Sequence, residues 1–234
     1  MKYNKLVRDH IPDPIIQHGE TPVTCSGLAV FDLDGTLLRG LTVCEVLARA
    51  LRRLDHMRRL EARISGFSDA DIAAAREEMV CWYREIPFTD LTSHLGSVTL
   101  APRAAEGIAL LRRHSVTVAI ASITWEFAVA WVAQQLHVEY YVGTGLEPDG
   151  AIRHCWPRDK VTWIHGLRET LRLPVRRVAA IGDSRGDVEM LRAVGHPVFV
   201  GTTLPDALSE VTHLPGADIV TVAQWIVERL TAQA

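Results

Sequence analysis

The chain has 234 residues, 48% of them hydrophobic and 23% charged, with a formal net charge of −3. These proportions suit a globular protein long enough for one core domain and a smaller companion. The slight acid excess and the lack of a basic run argue against nucleic acid as a partner. No stretch approaches the ~18 consecutive apolar residues of a membrane span.

The opening Met1-Lys-Tyr-Asn-Lys-Leu-Val-Arg-Asp9 has no apolar centre such as a secretory signal carries, so a cytoplasmic location is expected. Tyr3-Asn-Lys-Leu-Val-Arg-Asp-His-Ile-Pro12 resembles the start of MazG-like and phosphoribosyl-ATP pyrophosphohydrolase-like proteins. Those enzymes need a helical bundle with several acidic metal ligands, and none follows before residue 27. Pro12, Pro14 and Pro22 disfavour a long helix here. Residues 1–24 therefore read as a leader or fusion remnant outside the catalytic unit.

Gly27-Leu-Ala-Val-Phe31 is a short apolar run of the kind that forms a buried strand, and Gly35-Thr36 marks the turn leaving it. Between them stand Asp32 and Asp34. Alternate strand residues share a face, so both carboxylates can look into one pocket. Two like charges so close need a cation or a shared proton. The pattern suits a metal-assisted attack on phosphorus, one carboxylate acting as nucleophile and the other moving protons. It is also compatible with an acidic turn closing a strand.

From residue 39 to 100 the pattern is helical. Val43, Val46, Leu47, Ala50, Leu51 and Leu54 keep three-and-four spacing, and Ser68 is a capping start for a helix through Ile72 to Tyr83. An insertion of this size straight after the first strand suggests a helical cap over the strand ends. After Pro102, helices at 103–114, 124–136, 158–172, 187–194 and 219–231 alternate with strands at 116–121, 138–142, 177–182 and 198–200, with a short helical turn near 205–210. Pro148-Asp149-Gly150 reads as a turn, and Gly195 closes a helix. Alternation of this kind implies an α/β fold with a doubly wound parallel sheet, its core built from 25–38 and 101–234. The four cysteines (Cys25, Cys44, Cys81, Cys155) show no CxxC spacing and the ten histidines no HExxH, so free thiols are expected and no zinc site is signalled. Cys155 is packing or lines the substrate side.

Three of these strands end in reactive or phosphate-friendly residues: Asp32, Ser122 and Asp183, the last within Gly182-Asp-Ser-Arg-Gly-Asp187, with Lys160 opening a helix between the second and third. Open α/β sheets bind ligands at such ends. The set, in this order, resembles the haloacid dehalogenase superfamily of phosphohydrolases and, within it, the phosphoserine phosphatase-like branch, from about Ser26 onward. The resemblance implies that Asp32 is the nucleophile and forms an aspartyl-phosphate, while Asp34 protonates the leaving oxygen and then deprotonates water. It implies Mg2+ held by Asp32, the backbone carbonyl of Asp34, and Asp183, with Ser122 and Thr36 binding phosphate. Lys160 adds positive charge against nucleophile and phosphate, while Asp187 and Ser184 support from behind. Asp34 favours phosphoryl transfer, because the superfamily's dehalogenases lack a second aspartate.

The resemblance also breaks. Leu41 stands where phosphoserine phosphatases place a glutamate for the substrate ammonium, and Ile123-Thr124-Trp125 replaces glycines after the serine. Leaving an ammonium unpaired in a pocket costs several kcal/mol, so phosphoserine is not the expected substrate. Leu41 and Trp125 suggest a more apolar or aromatic pocket, with core packing the alternative for Trp125. Arg39, Arg84 and Arg153 either grip a second anionic group or are solvated. The expected activity is hydrolysis of a small phosphorylated metabolite. The alternatives are phosphotransfer to an alcohol from the same intermediate, a silent phospho-ligand binding module, and nucleotide pyrophosphohydrolysis through residues 1–24. Substrate identity and oligomeric state are left open by the sequence.

Overall fold

The computed structural model describes residues 25–64, 68–84 and 86–231, so the leader expected at 1–24 lies outside the described residues. A seven-stranded sheet carries the fold. Its strands are β1 (Gly27–Phe31), β4 (Val116–Trp125), β5 (Tyr140–Leu146), β6 (Ile152–Arg153), β7 (Val178–Gly182), β8 (His196–Phe199) and β9 (Thr212–His213). They run in the order β6-β5-β4-β1-β7-β8-β9, parallel except for the β5–β6 pair. The remaining strands, β2 (Leu38–Arg39) and β3 (Thr99–Leu100), form a separate antiparallel ribbon.

β1 is buried along its whole length because both of its faces are covered. Ala29 and Phe31 pack on one side with residues of α5 (Ala104–Arg113), α6 (Glu126–Gln135) and α9 (Ile219–Thr231). Leu28 and Val30 pack on the other with α7 (Pro157–Thr170) and α8 (Val188–Arg192). That double burial is why these strands read as continuous apolar runs rather than alternating ones. The chain leaves β1 for β4 on one side and β7 lies on the other, so the sheet's order reverses at β1, where a crevice opens beyond the strand ends.

Between the ribbon strands lie α1 (Val43–Ala50), α2 (Leu54–Arg63), α3 (Asp69–Tyr83) and α4 (Phe88–Ser93). Thr42 and Glu45 close a reciprocal cap at the start of α1. The apolar stripe from Val43 to Leu54 implied one helix, but the structure has two. Arg52 adopts φ 58° and the Arg53 N–H returns to the Ala48 carbonyl at 2.6 Å, which terminates α1. Leu54 begins the next helix.

Other boundaries differ as well. Thr124 and Trp125 belong to β4, not to the helix after it, because strand pairing resumes at Trp125↔Thr144 after a register shift beyond Ala121. Ser122 therefore sits in the irregular stretch of a strand. The 138–142 strand lies at Tyr140–Leu146, because His137 (φ 54°) and the Val138 N–H, bonded to the Ala133 carbonyl at 2.8 Å, finish α6 first. The 187–194 helix is a tight turn at Arg185–Asp187 followed by α8.

Candidate active site

The sheet's reversal places Asp32 immediately after β1 and Asp183 immediately after β7. The Asp32 N–H bonds the Ile181 carbonyl at 2.8 Å, which extends the ladder and fixes the height of Asp32 above the sheet. Lys160 enters from the first turn of α7, a helix begun by Pro157 and steadied by the Asp159 carboxylate, which accepts from the Trp156 N–H at 3.0 Å.

The Lys160 ammonium is 1% exposed and donates to Asp32 Oδ1 at 2.6 Å and to Asp187 Oδ1 at 2.7 Å. Burial works against its charge, but Asp187 and Asp32 outweigh it and hold the lysine protonated above its ordinary range. The other oxygen of Asp187 accepts from the Asp183 N–H, the Ser184 N–H and the Ser184 hydroxyl, each at 3.1 Å. Asp187 thus orients both Lys160 and the loop carrying Asp183. Gly182 leaves room for it, since a Cβ there would meet Asp187 Cβ at 2.5 Å.

One oxygen from each of Asp32, Asp183 and Asp187 lies within 4.8 Å of the others. Asp187 is the least available, because both its oxygens already accept hydrogen bonds. Among the described residues, no hydrogen bond is made to Oδ2 of Asp32 or of Asp183. Burial first, then Asp187, raises the Asp183 carboxyl to about 6 and Asp32 well above the usual carboxylate range. Crowded, partly buried carboxylates with open oxygens suit a hard divalent cation, which would offset that repulsion. Thr36 donates to Asp183 Oδ1 at 3.2 Å. Gly35, at φ 80°, permits the approach: a Cβ on it would meet Asp183 Oδ2 at 2.1 Å.

Asp34 has different surroundings. Its Oδ1 accepts from the N–H of Val43, the first residue of α1, at 2.7 Å, and Thr124 supplies a second hydrogen bond. A helix N-terminus favours the carboxylate form, yet burial outweighs both bonds and raises the group to about 6. That value lets one carboxyl both give and take a proton near neutrality. The Asp34 carboxylate lies outside the acidic trio, so any metal contact from this residue falls to its backbone carbonyl, as the resemblance has it.

Ser122 is 2% exposed, and its hydroxyl accepts from the Thr124 N–H at 3.3 Å. Trp125 is 1% exposed, set edge-on to Tyr83 and parallel to Phe127, and so packs in the interior. Leu41 is half-buried just before α1. Arg39 donates to the Gly35 and Ala217 carbonyls. Arg153 pairs with Glu126 and Glu147, and exposed Arg84 lines a cleft of about 540 Å³ between α3, α4 and the 146–150 turn. Burial raises the Cys155 thiol to about 11, which keeps it protonated.

Reading the sequence by motif missed Thr124, which bonds Asp34, and Arg76, a 4%-exposed cation on α3. A signal for Arg76 was present: Ile72, Arg76, Met79 and Tyr83 follow helical spacing, which puts the arginine on the buried stripe. Among the described residues, no helix is long and apolar enough to cross a membrane.

The phosphoserine phosphatase SerB2 of Mycobacterium tuberculosis (strain ATCC 25618 / H37Rv) is 26% identical over 175 residues, 72% of this chain but 42% of that protein. The chain thus spans less than half the length of this curated relative. Among solved structures, a phospho-aspartyl intermediate analogue of phosphoserine phosphatase superposes with TM-score 0.73 at 17% identity, covering 85% of this chain and 98% of that one. A HAD family hydrolase from Salmonella enterica subsp. enterica serovar Typhi gives TM-score 0.76 at 17% identity, covering 88% and 73%. The family model for haloacid dehalogenase-like hydrolases matches residues 29–192, well over half of the sequence, and the chain belongs to that family.

Proposed function

We propose that the protein is a Mg2+-dependent phosphatase that hydrolyses a small phosphorylated metabolite, other than phosphoserine, through a phosphorylated Asp32. The observation that carries this reading is the buried ammonium of Lys160 bound to Asp32 Oδ1 at 2.6 Å, with the Asp183 and Asp187 carboxylates in the same cluster. Lys160 opposes the rise that burial and the neighbouring carboxylates give Asp32, and it fixes which oxygen is free to attack. Asp32 attacks phosphorus as the ester P–O bond breaks, and Asp34 gives its proton to the departing oxygen. Water then attacks the aspartyl-phosphate and yields its proton to Asp34, which releases inorganic phosphate and restores both carboxyls. Ser122 donates a hydrogen bond to a phosphoryl oxygen.

Asp32, Asp183 and the Asp34 carbonyl would hold the cation, which offsets the charge of the phosphoryl group when bound. The curated relative's name supports phosphate-ester chemistry. Leu41 argues against the amino acid ester, because it cannot pair with an ammonium. By this reading residues 39–100 form the cap that selects the substrate. A panel of phosphorylated metabolites, assayed with Mg2+ and again with chelator, tests the proposal. Magnesium-dependent release of phosphate from esters lacking an ammonium is expected. Turnover that survives chelation, or a clear preference for phosphoserine, would overturn it.

A further inference from the structure

Arg76 is a buried charge that no carboxylate pairs with among the described residues. It stands on α3, in the insertion, yet the hydrogen bonds of its guanidinium run to the sheet domain. Nη2 donates to the Ile123 carbonyl at 2.7 Å and to the Cys155 carbonyl at 3.0 Å. Nη1 lies 3.0 Å from His154 Nδ1, and the guanidinium carbon sits 4.9 Å from the centre of the Trp156 ring. Ile123 follows Ser122 directly. Cys155 lies in the strap that leads into α7 and Lys160.

The same two segments are joined a second time from the sheet side. The buried Thr144 hydroxyl donates to the Ile123 carbonyl at 2.8 Å and accepts from the Cys155 N–H at 3.2 Å. The junction is thus held from below by a neutral side chain and from above by a cation. Asp69, two turns earlier on the same face of α3, pairs with Arg158 of α7 at 2.7 Å. One face of one helix therefore meets both the strap, through Arg76, and the first turn of α7, through Asp69.

We infer that Arg76 is a positioning residue: by bonding the Ile123 and Cys155 carbonyls together it sets the spacing between Ser122 and Lys160, and it does so only while the insertion is seated. The inference rests on the phosphatase reading for its kinetic consequence and on geometry alone for its structural one. Arg76 is not a substrate clamp, since both Nη2 protons are committed to carbonyls and the group is closed off from solvent. A buried cation with neutral acceptors loses its desolvation compensation when they part, so seating of the insertion and spacing of the two groups change together.

Arg76→Met in the full chain tests this with two readouts. Against para-nitrophenyl phosphate and Mg2+, kcat should fall about 30-fold with KM within about threefold, the pattern of misplaced reacting groups rather than lost binding. Hydrogen exchange should quicken about tenfold in 122–125 and 154–160 as well as in α3. Arg76→Lys, which keeps a charge but not the planar fork, should recover part of kcat. A tenfold rise in KM at unchanged kcat would make Arg76 a substrate-gripping group and overturn the inference. So would faster exchange confined to α3. Should Arg76→Met fail to fold, His154→Phe keeps the stacking on Trp156 and removes one acceptor; exchange unchanged in both segments would then decide against the inference. If the wild-type protein cleaves no phosphate ester, the functional reading fails by itself, and the exchange readout still decides on the junction.

Discussion

The two aspartates of the first motif stand one residue apart, and the structure gives them opposite neighbours. Asp32 faces the sheet's charged network, where an ammonium and two further carboxylates converge. Asp34 faces the insertion, where a backbone N–H at a helix start and a threonine hydroxyl are its partners. Charge balances charge in the first region, while in the second neutral dipoles stabilise a single carboxylate. In the first, Lys160 and a bound cation would together favour the ionised form a nucleophile needs, against the burial and neighbouring carboxylates that raise Asp32. A group held only by dipoles and raised by burial to about 6 can exchange protons. Arg76 extends the same contrast, since it is a charge on the insertion whose hydrogen bonds go to neutral groups.

The sharpest way to break this comparison is Asp32→Asn. The amide keeps the shape and can still accept from Lys160, so thermal unfolding should barely move. Turnover should fall by at least about 10⁴-fold, on the scale seen when a covalent nucleophile is lost. Turnover within tenfold of wild type would remove Asp32 from the role assigned to it.

Asp34→Asn tests the other half and should cost about 10²–10⁴-fold, the range of general acid–base catalysis. The loss should depend on the leaving group. An alkyl phosphate needs its departing oxygen protonated and should show the full effect, whereas para-nitrophenolate leaves unaided and should show much less. Equal losses on both esters would mean that Asp34 serves geometry alone, through its bond to the Val43 N–H.

How much of this was legible in the sequence follows the same divide. Asp32, Ser122, Lys160 and Asp183 sit in or beside short apolar runs whose spacing identifies strands and helix starts, and their order along the chain matched a known pattern. Gly35 was legible as a turn but not as the gap that admits Asp183, because that contact joins residues 148 positions apart. Thr124 was read as a helix start, since the pairing that keeps it in β4 comes from Thr144 on the neighbouring strand. Arg52 carries no turn signal, so the break between α1 and α2 was invisible. Interactions that cross between the sheet and the insertion leave little periodic trace in either partner.

Lys160→Met asks whether the charged region is held together by its own balance. Methionine fills similar space without the ammonium, leaving Asp32 and Asp187 buried and facing each other. Breaking a buried ion pair on one side costs about 3–5 kcal/mol, read as a lower urea midpoint at unchanged slope. Adding Asp187→Asn should recover part of the loss by removing the stranded charge, although it also weakens the acceptor for Ser184 and the Asp183 N–H. If the double variant is less stable than Lys160→Met, the loop hydrogen bonds to Asp187 outweigh the repulsion, and the trio is built by backbone geometry more than by charge.

Gly35→Ala should have the smallest effect on stability and the most localised effect on function. The positive φ alone costs a non-glycine residue about 1 kcal/mol, and the new methyl would lie where Asp183 Oδ2 now sits, 2.1 Å from it. Asp183 has to swing away, and the Thr36 bond at 3.2 Å goes with it. The Lys160–Asp32 bond involves neither Gly35 nor Asp183 and should keep its length. The Mg2+ concentration needed for half-maximal activity should therefore rise at least about tenfold, which is about 1.4 kcal/mol. Turnover at saturating Mg2+ should fall far less. If instead turnover collapses and the Mg2+ dependence is unchanged, Asp183 is not a cation ligand, and the charged region would have to hold its ion through Asp32 and Asp187 instead.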